Sequence, residues 1–240
     1  MDKSLYLEKK ASQQPAVDLL QSMGYIYLPP ADCEAQRGSR YHVLLKDILR
    51  GQLRRLNRYS FAGAENEFSA ANIERAMEDL DEPLTDGLVR TSEKVYDALL
   101  LGKSYPETVG EGKTLSFNLK YIDWEHPEYN LFHVTEEFAV DSRDKLHKAI
   151  PDLVLFINGI PFATIECKAP QVSVEQAVEQ TIRNQQPEYI PQLYKFAQIV
   201  VATNKNAVKY ATTNTPKKFW TVWKEQDTTF LEQALAQHVS

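Results

Sequence analysis

The sequence predicts an α/β fold, a mixed central sheet flanked by helices and preceded by a mainly helical N-terminal region. Three observations carry this. Apolar residues recur at helical spacing through the first half, and from about residue 115 the pattern changes to alternating segments rich in aromatic and β-branched residues. A strand, helix, strand order over 162–203 implies a crossover onto a parallel neighbour. The 240 residues show no internal repeat, low-complexity stretch or clear linker, so a helical region 1–105 packed on a core 106–240 is expected to form one continuous domain.

The elements follow in order. PAVDLLQSMGY reads as a helix stopped by Gly24, and YHVLLKDILRGQLRRLN as a second, with Gly51 inside it. Ser69 is placed to cap ANIERAMEDL, and Thr91 to cap a helix around SEKVYDALLLG that ends at Gly102. TLSFNLKYIDW and LFHVTEEFAV alternate as strands, and IPDLVLFINGIPFATIECKAP at 150–170 is a hairpin about Asn158-Gly159. Ser173, with Gln176 completing a capping box, starts a helix over SVEQAVEQTIRNQ. AQIVVATN and AVKYATT are strands joined at NKN, and a helical pattern closes the tail.

Composition narrows the function. Hydrophobic residues make up 43% and charged residues 25%, as in soluble globular proteins. No apolar run approaches the roughly 18–20 residues of a membrane span, and the polar start MDKSLYLEKKASQQP lacks a signal core. Cys33 and Cys167 are too few and too far apart for a disulfide framework, so a reducing, cytoplasmic setting is expected. A net charge of −6 excludes a general polyanion binder; nucleic-acid contact would have to be local, through metal ions, or supplied by a partner. Arg50, Arg54, Arg55 and Arg58 share a helix face, either a solvated one or one that meets phosphates.

Several familiar chemistries drop out. GKS at 102–104 and GKT at 112–114 imitate a phosphate loop, but the glycine needed five positions earlier is replaced by Asp97 and Glu107. His42, His126, His133, His147 and His238 are scattered, with no zinc-type spacing. No Ser–His nucleophile signature is present.

The hairpin at 150–170 is different, because its buried-looking strands carry Asp152, Glu166 and Lys168. Burying unpaired ions costs several kcal/mol or more. Period-2 alternation puts Glu166 and Lys168 on one face and Cys167 on the other. A two-residue turn would pair Ile157 with Ile160 and turn Asp152 and Glu166 to opposite faces. A three-residue loop with a G1 bulge, or a bulge elsewhere in the hairpin, brings 152 opposite 166. Converging carboxylates repel unless a divalent cation sits between them, and all-oxygen ligation suits Mg²⁺. Asp152, Glu166 and the Cys167 carbonyl would be its ligands, with Lys168 beside it to hold or deprotonate water. The competing reading is a structural ion pair of Lys168 with Glu166 or Asp152 at a sheet edge.

Pro151-Asp152, thirteen intervening residues and Glu166-Cys167-Lys168 resemble the PD-(D/E)xK nuclease signature. With YIDWEHPEYNLFHVTEEFAV upstream, GLVRTSEKVYDALLLG before it and KFWTVWKE after, residues 15–225 resemble the N-terminal nuclease region of the restriction subunit (HsdR) of type I restriction–modification enzymes. That resemblance implies a restriction-endonuclease-like fold. Asp152 and Glu166 would be metal ligands and Lys168 the catalytic lysine. The cation would be Mg²⁺, with Mn²⁺ as an alternative. A Gln-x-x-x-Tyr element would assign Gln185 and Tyr189 as accessory site residues, with Gln180 competing for the first place and a packing aromatic the other reading of Tyr189. Glu8 is a candidate extra acid. ATP would act only through helicase-like motor domains absent from these 240 residues.

The implied activity is endonucleolytic hydrolysis of double-stranded DNA, coupled in a full complex to translocation. The implied partners are the methyltransferase and specificity subunits and the chain's own motor domains, with no membrane, and cleavage by this piece alone would be weak or absent. Two alternatives stand beside it. One is a catalytically silent docking module of nuclease fold, and the other is a stand-alone structure-specific nuclease.

Overall fold

Pro15 sits in the first turn of α1 (Gln14–Ser22), where a missing N–H costs nothing, and Ala16, Val17 and Leu20 face inward. This is a computed structural model, and it describes residues 12–223. Glu8, His238 and the helical pattern of the tail lie outside the described residues. Gly24, at φ 97°, ends the first helical segment as expected.

β1 (Ile26–Tyr27) and α2 (Pro30–Arg37) follow, then α3 (Lys46–Leu56). α3 starts later than its apolar spacing suggests. Val43, Leu44 and Leu45 are buried ahead of it, and the Leu45 N–H donates to Gly159 O at 2.9 Å. The helical reading of the first half misses one hairpin and one strand of another. The first is β2 (Arg58–Phe61) with β3 (Ala64–Glu67), turning on Ala62 and Gly63 at positive φ with none of the usual Asn-Gly chemistry.

Ser69 caps α4 (Ala70–Leu80), accepting from the Asn72 N–H. α5 (Gly87–Leu101) begins before Thr91, which lies inside it with its hydroxyl donating to Gly87 O, so Thr91 is not the cap. Gly102 ends α5 at φ 72°, and a Cβ there would meet Leu119 O at 2.4 Å. That close approach belongs to the second hairpin, β4 (Lys103–Val109) with β5 (Lys113–Leu119), of which β5 is the strand expected at TLSFNLKYIDW and β4 is the part missed. Both phosphate-loop imitations therefore lie in or beside a hairpin.

The remaining elements are β6 (Phe132–Glu136), β7 (Val140–Asp141), β8 (Lys148–Ala149), β9 (Leu153–Ile157), β10 (Ile160–Lys168), α6 (Val174–Asn184), α7 (Pro191–Tyr194), β11 (Ile199–Asn204), β12 (Ala207–Ala211) and β13 (Thr221–Val222). The central sheet runs β1-β6-β9-β10-β11-β12-β13. β1/β6 and β10/β11 are parallel and the other neighbours antiparallel, so the mixed sheet and the crossover through α6 are both present. Ser173 caps α6 by accepting from the Glu175 N–H, while Gln176 donates its main-chain N–H to Ser173 O.

Alternation along β9 and β10 feeds two cores. Leu153, Leu155, Ala163, Ile165 and Cys167 pack with Val134 and with Ala16, Val17 and Leu20 of α1. Val154 and Phe156 join the larger core with Val174, Ala177, Val178 and Tyr194. Full burial of each aliphatic side chain contributes about 1.5–3 kcal/mol. No helix among the described residues is long and apolar enough to cross a membrane.

Candidate active site

All five residues of β9 are buried, and its turn to β10 is a two-residue one. Asn158 and Gly159 have φ of 54° and 84°, the type I′ combination. The tip is closely packed against the start of α3. A Cβ on Gly159 would meet Leu45 O at 2.7 Å. The buried Asn158 side chain donates to Tyr121 O and Asn130 Oδ1, and accepts from Gln52 Nε2 and the Leu131 N–H.

The bulge is elsewhere, as the second of the two expected routes requires. Ile160 faces Ile157 and Pro161 faces Phe156, but the next pair is Ala163 with Leu155. Phe162 is the extra residue. It follows a proline with no N–H for the ladder, and its carbonyl accepts from the Gln198 N–H at 2.8 Å on the other side. Beyond it the register shifts by one, so Leu153 faces Ile165. Continued one residue further, Asp152 stands opposite Glu166. Asp152, Thr164 and Glu166 then share the sheet face turned toward the larger core.

Asp152 lies just before β9. Its Oδ2 accepts from the Cys167 N–H at 2.7 Å, and its main-chain carbonyl from the Glu137 N–H at 2.8 Å. Glu166 is 3% exposed. Lys168 Nζ donates to Glu166 Oε1 at 3.0 Å and to Cys167 O at 3.1 Å. Burial pushes the Glu166 carboxyl up to about 8, the Asp152 charge adds to this, and Lys168 only partly offsets it. Among the described residues, two acids and one ammonium meet here, and the raised Glu166 carboxyl reflects the cost of ionising both acids together. The Cys167 thiol packs in the α1 core on the opposite face.

Asp152, Glu166, Lys168 and the Cys167 carbonyl are therefore brought together; among the described residues, no hydrogen bond joins Gln180, Gln185 or Tyr189 to them. α6 ends at Asn184, so Gln185 is its C-cap residue and Tyr189 lies beyond the helix. Gln185 donates to Thr181 O and accepts from the Asn214 N–H. Tyr189 stacks against His147, with the Arg183 guanidinium over its ring. Gln180 lies half-buried on α6. The four arginines do not share one helix face: α3 ends at Leu56, and Arg58 lies in β2, where it pairs with Glu67, while Arg50 on α3 pairs with Glu74 and Asp47.

Three contributors escape the sequence reading. Tyr194 is buried, and its phenol is raised by burial and by the Glu166 charge. Ser12 and Gln13 reach the main chain of Lys168 and Asp152. No local pattern announces contacts so distant along the chain. Among the described residues no group of three or more His, Cys, Asp or Glu side chains is arranged for a metal.

Comparison with known proteins adds the lineage. Residues 5–219 match the family described as type I restriction enzyme R protein N terminus. A Methanocaldococcus jannaschii protein provisionally named type I restriction enzyme MjaIXP endonuclease subunit is 26% identical over 220 residues, 88% of this chain and 20% of that protein. The type I restriction enzyme HindI endonuclease subunit of Haemophilus influenzae is 22% identical over 242 residues, 92% of this chain and 21% of that protein. The EcoprrI endonuclease subunit of Escherichia coli is 23% identical over 220 residues, 89% of this chain and 63% of that sequence. The chain thus spans about a fifth of the length of the first two relatives.

Proposed function

This chain belongs to the family of type I restriction enzyme R protein N termini, and from that premise we propose that it is the metal-dependent DNA endonuclease part of a restriction subunit. The observation that carries the reading is the bulge at Phe162, which turns Asp152 to the face of Glu166. The shift puts on one face of the sheet two acids that could share a cation.

The donor set fits Mg²⁺ or Mn²⁺. Asp152, Glu166 and the Cys167 carbonyl would hold the ion, leaving places for water and phosphate oxygen. A cation already occupies part of that niche, because Lys168 Nζ lies against both Glu166 Oε1 and Cys167 O. Bound there, the ion would supply Lewis-acid stabilisation of charge on the phosphate. The Cys167 N–H fixes Asp152 Oδ2 and so orients the carboxylate. Lys168 is placed to hold the attacking water and to offset charge as oxygen adds to phosphorus and one ester P–O bond breaks. The leaving oxygen takes up a proton, giving an alcohol and a phosphomonoester.

ATP-driven translocation, sequence recognition and the methyltransferase and specificity partners belong in this reading to other parts of a full complex. The Lys168–Glu166 ion pair is the observation that favours a silent docking module instead. Asp152→Ala and Lys168→Ala in a full complex separate the two. Plasmid cleavage is expected to fall on the order of 10²–10⁴-fold with ATPase activity retained. Undiminished cleavage in either variant would sink the nuclease assignment.

A further inference from the structure

We infer that Gln13 is a positioning residue for this metal site, acting from the opposite face of the sheet through the main chain of Asp152. The inference rests on the proposed metal site and adds a residue to it.

Asp152 stands at the end of the ladder. The paired register of β9 with both neighbours ends at Leu153, and the Asp152 carbonyl beyond it accepts from the Glu137 N–H at 2.8 Å and shares that acceptor with Gln13. Its peptide plane decides where its Cβ points, and hence whether its carboxylate meets Glu166. Gln13 is 4% exposed at the start of α1, and its Nε2 donates to Asp152 O at 3.3 Å and to Glu136 Oε2 at 3.2 Å. Tyr27 holds the same carboxylate, its hydroxyl donating to Glu136 Oε1 at 3.0 Å. Glu136 faces Leu153 in the β6/β9 register, so its side chain lies on the α1 side, opposite Glu166. Next to Gln13, the Ser12 hydroxyl donates to Lys168 O at 2.9 Å.

The start of α1 therefore grips the backbones of two of the three chemical residues without entering the site. Packing alone does not ask for this, because Ala16, Val17 and Leu20 already seat α1 on the sheet. A buried amide with both protons directed at a carbonyl and a carboxylate sets orientation. Partners of this kind behind a ligand typically change metal affinity about 10–100-fold.

The test uses Mn²⁺ titrated calorimetrically into the full chain without DNA. Gln13→Met keeps the volume and removes both hydrogen bonds, and Mn²⁺ affinity is expected to fall about tenfold or more. Tyr27→Phe leaves Gln13 in place, loosens Glu136 and is expected to weaken binding in the same direction. Gln14→Ala, which removes only a surface bond to Asp18 on the same helix, is expected to bind like wild type. A merely structural Gln13 would lower the urea midpoint and leave Mn²⁺ affinity unchanged; that result, in folded Gln13→Met and Tyr27→Phe, overturns the inference. Asp152→Ala separates the two levels. If wild type binds no Mn²⁺, or Asp152→Ala binds as well as wild type, the metal site itself is wrong and the inference falls with it. If only Asp152→Ala loses binding, the site stands and Gln13 has no part in it.

Discussion

Gly159 carries two constraints at once: a φ of 84°, and a helix backbone where its side chain would be. Gly159→Ala is expected to cost about 1–3 kcal/mol, seen as a lower urea midpoint at unchanged slope. A midpoint equal to wild type would mean the tip can move off Leu45. His133 offers a pH test. It is buried on β6, its Nδ1 has no partner among the described residues, and burial holds its pKa below the usual imidazole value. Above about pH 6.5 both folded and unfolded imidazole are neutral. As pH falls from there toward the lowered folded value, the unfolded chain gains protons first and stability is lost. Wild type should therefore lose more stability than His133→Phe between pH 6.5 and 5; parallel losses would remove His133 from the account. At this scale the convergence of Asp152, Glu166 and Lys168 was legible, since they are unusual types for a buried hairpin. Gln13 and Tyr194 were not, because a glutamine or tyrosine of use and one of no use look the same until distant carbonyls and acids are brought beside them.

Among the elements, those that declare themselves locally were readable and those fixed by tertiary contact were not. Ser69 carries a local signal, an oxygen aimed at the free N–H groups of α4, and it also donates to the buried Glu107. Thr91 has the same side-chain chemistry but sits one turn inside α5, its hydroxyl returned to Gly87 O. Ser69→Ala should thus cost about 0.5–2 kcal/mol, and Thr91→Val clearly less, by chemical unfolding of the two variants side by side. The reverse order would mean that α5 starts at Thr91 in solution. The hairpin at Ala62-Gly63 lacks turn chemistry, and α3 starts late because Leu45 is tied to Gly159. The hairpin of β9 and β10 lies between these cases. Residue types showed that a bulge or a longer loop was needed, and only the packing of Gly159 and Pro161 decided which.

Over the whole molecule, the mixed sheet and its helices follow the pattern of apolar spacing, while the joining of β1 to β6 does not, since two residues carry no periodicity. The candidate site lies at the ends of β9 and β10, and the start of α1 reaches the backbones of Asp152 and Lys168 from the opposite face of the sheet. On the proposed function, a net charge of −6 would leave the capture of DNA to the cation and to partners. The account stands or falls on whether the acids of β9 and β10 hold that cation. An anomalous difference map from crystals soaked in Mn²⁺ asks this directly. The expected result is a peak within about 2.5 Å of oxygens from both Asp152 and Glu166; an empty site at saturating Mn²⁺, with Lys168 still closed on Glu166, would contradict it.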